Sequence, residues 1–233
     1  MSCILNIETS TQVCSVALTQ GGEVLLEKVS FEGPSHAVLL GTYVEEALNY
    51  VKERAVKLDA VAVSSGPGSY TGLRIGVSMA KGLCFGLGIP LIGIHTLEIL
   101  AKKAVSVTQE ENALYCAMLD ARRMEVYAAI YDASLQEVRE PSADIVTSET
   151  YPDYLMKGRM YFFGNGAAKC KEVLTSENAF FLDDLYPLAS DMASLSEKAF
   201  TGGKFEDVAY FEPFYLKEFV ATIAKNKVLS DVK

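Results

Sequence analysis

The chain contains only two histidines among 233 residues, which leaves little material for an imidazole-bound metal centre. His36 falls on the apolar side of a helical pattern and reads as a packed core or interface residue. His95 ends a strand pattern, with no second histidine or cysteine at ligand spacing. The five cysteines (Cys3, Cys14, Cys84, Cys116, Cys170) are widely spaced and form no C-x-x-C pair, so they read as reduced core residues. No Gly-x-Ser-x-Gly elbow is present, and serines alone make no convincing catalytic set. Basic residues are the scarcer charge, 21 against 30 acidic, and the net −9 repels phosphate backbones at long range. The densest basic clusters are the pairs Lys102-Lys103 and Arg122-Arg123, so contact with RNA needs a basic partner or a very local patch. No apolar run reaches about 18 residues without a charge, so no transmembrane helix is expected. Met1-Ser2-Cys3-Ile4-Leu5 lacks a basic segment ahead of its apolar stretch; no signal peptide is expected, and a cytoplasmic location is the default. Half the residues are apolar and 22% charged, the balance of a globular protein rather than a disordered chain.

What is present is periodic. Cys3-Ile4-Leu5-Asn6-Ile7 is an apolar run that stops at Glu8-Thr9-Ser10-Thr11. Cys14, Val16 and Leu18 then alternate with smaller or polar residues, Gly21-Gly22 marks a hairpin turn, and 24–31 returns as a third strand. A helix follows, in which His36, Leu39, Leu40, Tyr43, Val44, Ala47, Leu48 and Val51 recur at three and four. Ala60-Val61-Ala62-Val63 predicts a buried strand, followed by a glycine-rich loop, a second helix to about residue 86, a strand from Pro90 to Ile94 and a helix over 97–105. The second half repeats this order: a strand over 114–119, a hairpin partner over 126–131, a third strand around 135–138 and a helix over 148–156. The strand Met160-Tyr161-Phe162-Phe163 then enters the turn Gly164-Asn165-Gly166, with a helix through Val173. Two copies of strand-strand-strand-helix-strand-helix resemble the actin, Hsp70 and sugar-kinase (ASKHA) superfamily. The expected class is α/β, with duplicated lobes of mixed sheet and flanking helices: an N-terminal lobe over 1–105 and a C-terminal lobe with its tail over 106–233.

The loop Gly66-Pro67-Gly68-Ser69-Tyr70-Thr71-Gly72 joins a strand to a helix, where backbone N–H groups can hold an anion. It lacks the Gly-Lys-Ser/Thr of a Walker A loop, and its glycines equally suit close approach of the helix to the sheet. ATP-using members of the superfamily carry a turn resembling Asp-x-Gly-Thr after the first strand; here that turn is Glu8-Thr9-Ser10-Thr11, and its repeat is Asp120-Ala121-Arg122. Both departures weaken a nucleotide site, and Glu8 and Asp120 read as anchors for turn N–H groups. The second helix holds Gly72, Gly76, Gly82 and Gly86 among apolar residues on nearly all sides. At about 1 kcal/mol each against alanine, these glycines need a compensating close approach, and the apolar cover points to a partner.

Ile7-Glu8-Thr9-Ser10, the run Ser65-Gly66-Pro67-Gly68-Ser69-Tyr70-Thr71-Gly72-Leu73-Arg74-Ile75-Gly76, and Asp120-Ala121-Arg122-Arg123-Met124-Glu125-Val126-Tyr127 look like the bacterial TsaB family, also called YeaZ. Pro213-Phe214-Tyr215-Leu216 resembles that family's closing Pro-x-Tyr-Leu. The family is similar to TsaD, the subunit that puts a threonylcarbamoyl group on the adenosine beside the anticodon of tRNAs. The metal motif of TsaD, His-x-x-x-His, would fall here at Thr96 and Leu100, neither able to bind a metal as histidine does. The resemblance therefore implies a non-catalytic scaffold with no catalytic, cofactor or metal residues. Its implied partners are TsaD (as a heterodimer) and the ATPase TsaE; alone it would form a homodimer, meeting tRNA only through the complex and no membrane. Helices over 35–52 and 71–88 would form the shared bundle, with Leu39, Leu40 and Tyr43 on the first and Tyr70, Arg74, Ile75, Val77, Ser78 and Lys81 on the second as interface candidates. The alternative is an enzyme acting alone, either a weak ATPase of the superfamily or a metallopeptidase-like protein.

Overall fold

Apolar runs with no exposed residue place β1 (Cys3–Glu8) and β4 (Ala60–Gly66) side by side at the centre of the first sheet. The computed structural model describes residues 1–33 and 36–217. β2 (Cys14–Gln20) pairs antiparallel with β1, Leu5 opposite Leu18, and β3 (Glu23–Ser30) forms the edge. α1 (His36–Glu53) leads into β4, then α2 (Tyr70–Leu87), β5 (Leu91–His95) and α3 (Thr96–Thr108). The strand order is β3-β2-β1-β4-β5. The second sheet joins β6 (Leu114–Asp120), β7 (Glu125–Tyr131), β8 (Glu137–Ile145), β9 (Met160–Phe163) and β10 (Ala179–Leu182) in the order β10-β9-β6-β7-β8. Written from the other edge, it is the first sheet again, with β6 to β10 standing for β1 to β5 and the same parallel and antiparallel pairs. This is the expected α/β class, with two mixed five-stranded sheets of the same duplicated topology and flanking helices.

One core lies between the first sheet and α1 and α2, built on Leu5, Val16, Leu40, Val44, Val63 and Val77. The other face of that sheet packs Ile4, Ala62 and Ile92 against Ile99 of α3 and Leu195 of α5 (Ala193–Thr201). α3 also packs on β6, so one helix serves both sheets. All five cysteines are buried and unpaired, and burial pushes the thiols of Cys3, Cys14 and Cys84 up to about 11, where they stay uncharged. No described helix is long and apolar enough to cross a membrane.

Several elements of the second half differ from expectation. The strand expected around 135–138 begins at Glu137 and runs to Ile145, because Asp132 folds the preceding residues into a turn. Its Oδ1 accepts N–H groups from Ser134 and Gln136, and Leu135 carries a φ of 60°. The helix expected over 148–156 shrinks to α4 (Pro152–Leu155), and the one expected through Val173 to a single 3-10 turn (Ala168–Cys170). β10 and α5 have no counterpart among the expected elements.

The α2 glycines divide into two kinds. A Cβ on Gly72 would collide with the carbonyl oxygen of Thr9, and one on Gly76 with its hydroxyl, so this half of the helix seats against the turn after β1. Gly82 and Gly86 have nothing within 4 Å, so close approach inside the chain accounts for only the first pair. The same substitution on one helix therefore has opposite signs. Gly72→Ala or Gly76→Ala should lose about 2 kcal/mol or more in urea unfolding, from overpacking. Gly82→Ala should gain about 0.5–1 kcal/mol from helix propensity. Equal effects at Gly76 and Gly82 would refute the seating.

Candidate functional site

Two regions compete for the functional role: the cleft end of the first sheet, where β1 and β4 deliver their turns, and the outer face of α1 and α2. At the cleft the glycine loop is filled by the chain itself. The N–H of Ser69 donates to the carbonyl of Ser10 at 2.6 Å, and the Thr9 hydroxyl donates to the carbonyl of Gly72 at 2.8 Å. The Ser69 hydroxyl caps α2 by accepting from the N–H of Gly72 at 3.3 Å. A Cβ on Gly68 would collide with the Ser10 carbonyl. These are contacts of close packing, the second of the two uses that the loop's glycines admit.

Glu8 is wholly buried beneath this turn. Its Oε1 accepts the N–H of Ser10 at 2.5 Å, while Oε2 and the Ser10 hydroxyl oxygen lack a hydrogen bond of good geometry. Burial pushes the carboxyl up to about 7; the adjacent Ser10 and Ser64 groups favour its charged form, and Asp191 opposes it. Asp120, its counterpart in the second sheet, is exposed, accepts the N–H of Arg122 at 3.3 Å and forms an ion pair with Lys169. Each carboxylate thus anchors the N–H two residues on, as the turn pattern implied.

The histidines lie apart. His36 Nε2 is 3.1 Å from the carbonyl of Val13, inside the fold. His95 is exposed at the end of β5, with its ring edge-on to Phe214 at 5.4 Å. Thr96 and Leu100, where the resemblance places the metal-binding histidines of TsaD, are both fully buried on α3, Leu100 in the second lobe's core. Among the described residues no three of His, Cys, Asp and Glu gather where they could hold a metal.

The tail closes the cleft from outside. The N–H of Glu206 donates to the carbonyl of Leu91, and that of Phe214 to the carbonyl of Ser65, at 2.9 and 2.7 Å. Lys81 reaches off α2 to the carbonyls of Ala209 and Phe211, at 3.0 and 2.9 Å. Tyr215 packs on Tyr70 with ring centroids 5.1 Å apart, and Lys217 forms an ion pair with Glu125 of the second lobe. Pro213-Phe214-Tyr215-Leu216 is therefore a strap across the glycine loop, reaching from the first sheet toward the β6–β7 hairpin of the second.

The outer helix face is open. A groove of about 790 Å³ runs between α1 and α2, lined by Ala37, Tyr70, Thr71, Arg74, Ile75, Ser78, Met79, Gly82 and Leu83. Four of the nine interface candidates (Tyr70, Arg74, Ile75 and Ser78) line it. Leu39 and Tyr43 are half-buried against the core. Leu40 and Val77 are only 1% and 4% exposed and point into the chain's own sheet, so they offer a partner no surface, and Lys81 is engaged by the tail. Beside the groove stand Val38 and Phe85, 75% and 86% exposed. Neither these two nor Ala37, Met79 and Leu83 are among the sequence-derived candidates, although the inward stripe Leu73, Val77, Ala80, Cys84 already puts Phe85 about 110° around the helix and off the inward face.

A family profile described as "TsaD: tRNA N6-adenosine threonylcarbamoyltransferase" matches residues 32–230. Over 227 residues the chain is 32% identical to the tRNA threonylcarbamoyladenosine biosynthesis protein TsaB of Escherichia coli, covering 94% of this chain and 96% of that one. The chain belongs to the TsaB family. A TsaB of Bacillus subtilis is 30% identical over 174 residues, covering 73% of this chain and 74% of that one. A crystal structure from Pseudomonas aeruginosa, described as similar to peptidase YeaZ, superimposes with a TM-score of 0.81 at 28% identity, covering 93% of this chain and all of that one.

Glu8 makes a pH prediction. Its folded pKa of about 7 exceeds the ordinary 4.5, so the folded state holds the proton more tightly than the unfolded one. Its contribution to stability is therefore fullest below pH 4.5, is lost as pH climbs toward 7, and stays lost above. Glu8→Gln keeps the acceptor for the Ser10 N–H and removes the charge. In urea unfolding the variant should gain on the parent between pH 5 and 8, by up to about 3 kcal/mol. Parallel stability profiles would contradict the buried-carboxyl reading.

Proposed function

We propose that the chain is a non-catalytic subunit in the synthesis of threonylcarbamoyladenosine beside the anticodon of tRNA, and that it binds and activates TsaD through the α1–α2 groove. The observation that carries this is the open groove lined by Ile75, Met79 and Leu83, each half-buried against the core with its remaining surface in the groove, and Phe85 86% exposed on the same helix. An open groove lined by apolar side chains is the kind of surface that a protein partner covers. The packed glycine loop supports the same reading from the other side, since carbonyls of Ser10 and Phe214 stand where a phosphate would need to approach. In this reading the domain boundary lies near residue 105, the protein works in the cytoplasm, and tRNA is met through the complex. TsaE joins the assembly, and a second copy occupies the groove when TsaD is absent.

The reading is tested by gel filtration of the chain with TsaD of the same organism. Ile75→Glu places a charge in an apolar contact and Ser78→Arg places bulk there, so either should weaken the complex by about 2 kcal/mol or more and abolish co-elution. Circular dichroism of free Ser78→Arg should be unchanged, because Ser78 is exposed, and it serves as the control for Ile75→Glu, whose side chain is half-buried against the core. The purified chain alone should hydrolyse ATP only at background. Unchanged co-elution would remove this groove as the contact.

A further inference from the structure

Four of the chain's six arginines have partners: Arg54 packs over Tyr50, Arg74 donates to Tyr70, Arg139 grips Asp144 and Arg159 pairs with Glu110. The side chains of Arg122 and Arg123 have none among the described residues, and both are exposed at the tip of the β6–β7 hairpin. Both also carry positive φ, 73° and 50°, a conformation that glycine and asparagine adopt far more readily than arginine. The acids at the hairpin's base do not cancel this charge, because Asp120 is paired with Lys169 and Glu125 with Lys217. On a chain of net charge −9, the tip is a local patch of free positive charge.

Its position is specific. Tyr215 packs on Tyr70 at the end of the groove, and two residues later Lys217 pairs with Glu125 at the hairpin. Two residues span about 7 Å at most, so one short stretch of the tail links the end of the groove to the base of the hairpin that carries the arginines. Guanidinium forks match phosphate oxygens bidentately and hold their charge at any working pH.

We propose that the Arg122–Arg123 hairpin is an RNA phosphate contact, set at the rim of the partner groove so that RNA held by the partner meets it. The proposal rests on the tRNA-modifying role above. It predicts that the double variant R122N/R123G, whose residues suit positive φ, folds at least as stably as the parent but binds RNA less well.

The probe is a labelled unmodified tRNA transcript, titrated by fluorescence anisotropy with the isolated chain at low salt and with the chain–TsaD mixture across a salt series. The double variant should weaken binding at least about fivefold in both settings and make the dependence of log K on log salt shallower by about 1 to 2. R122K/R123K should keep most of the salt slope. Unchanged affinity and slope, or no binding by the parent in either setting, would overturn the proposal. So would loss of co-elution with TsaD while the isolated chain binds RNA as before, because the arginines would then serve a protein contact. Failure of the parent to co-elute with TsaD would instead bring down the groove reading, and the isolated-chain titration would still decide the hairpin.

Discussion

The seating of α2 on the turn after β1 is the contact on which the rest of the structure depends. Gly72 and Gly76 bring the helix so near that Thr9 meets it with both its carbonyl and its hydroxyl, and the hydroxyl bonds back to Gly72. That approach buries Glu8 without a full set of hydrogen bonds, and desolvation then holds its carboxyl near neutrality. It also sets the rotation of α2: Leu73, Val77, Ala80 and Cys84 face the sheet, leaving Ile75, Ser78, Gly82 and Phe85 outside. A closed cleft and an open groove are two results of one helix placement.

The tail joins these two surfaces. By tying Lys81, covering Gly66 with Phe214 and packing Tyr215 on Tyr70, it shields the loop and forms one end of the groove. Its last described residue pairs with Glu125 of the second sheet, so a partner seated on α2 would touch structure linked to both sheets. The polar cluster of Arg139, Ser142, Asp144 and Tyr151 works differently. It clamps β8 to α4 by bidentate and hydroxyl bonds within the second lobe, away from the groove.

Strands buried on both faces were legible in the sequence: β1, β4 and β6 are continuous apolar runs, and chemistry allows them few alternatives. α1 and α2 were legible because large apolar residues recur at helical spacing. α5 was not, since Ala193, Ser196 and Ala199 fill three of its four buried positions and leave little periodic signal. β8 misled because its charged and proline-bearing sequence suits only a sheet edge. At the site, the glycine loop was visible but its packing was not, as Ser10 and Phe214 enter from distant parts of the chain. Leu40 and Val77 were placed at the interface because an apolar helix on two faces does not announce which face is covered from within. The role of Lys81 was unreadable, because its partners are main-chain carbonyls 128 and 130 residues away.

The central claim is that the outer face of α1 and α2, and not the cleft, is the working surface. Hydroxyl-radical footprinting reads it directly, comparing side-chain reactivity of the chain alone, diluted until it is monomeric, with that of its complex with TsaD, and taking Met156 and Ile145 as exposed references away from the groove. The account predicts that Met79, Leu83 and Phe85 lose reactivity in the complex while the references do not change. Continued reactivity of those three, with protection instead at His95 and Phe214, would contradict it.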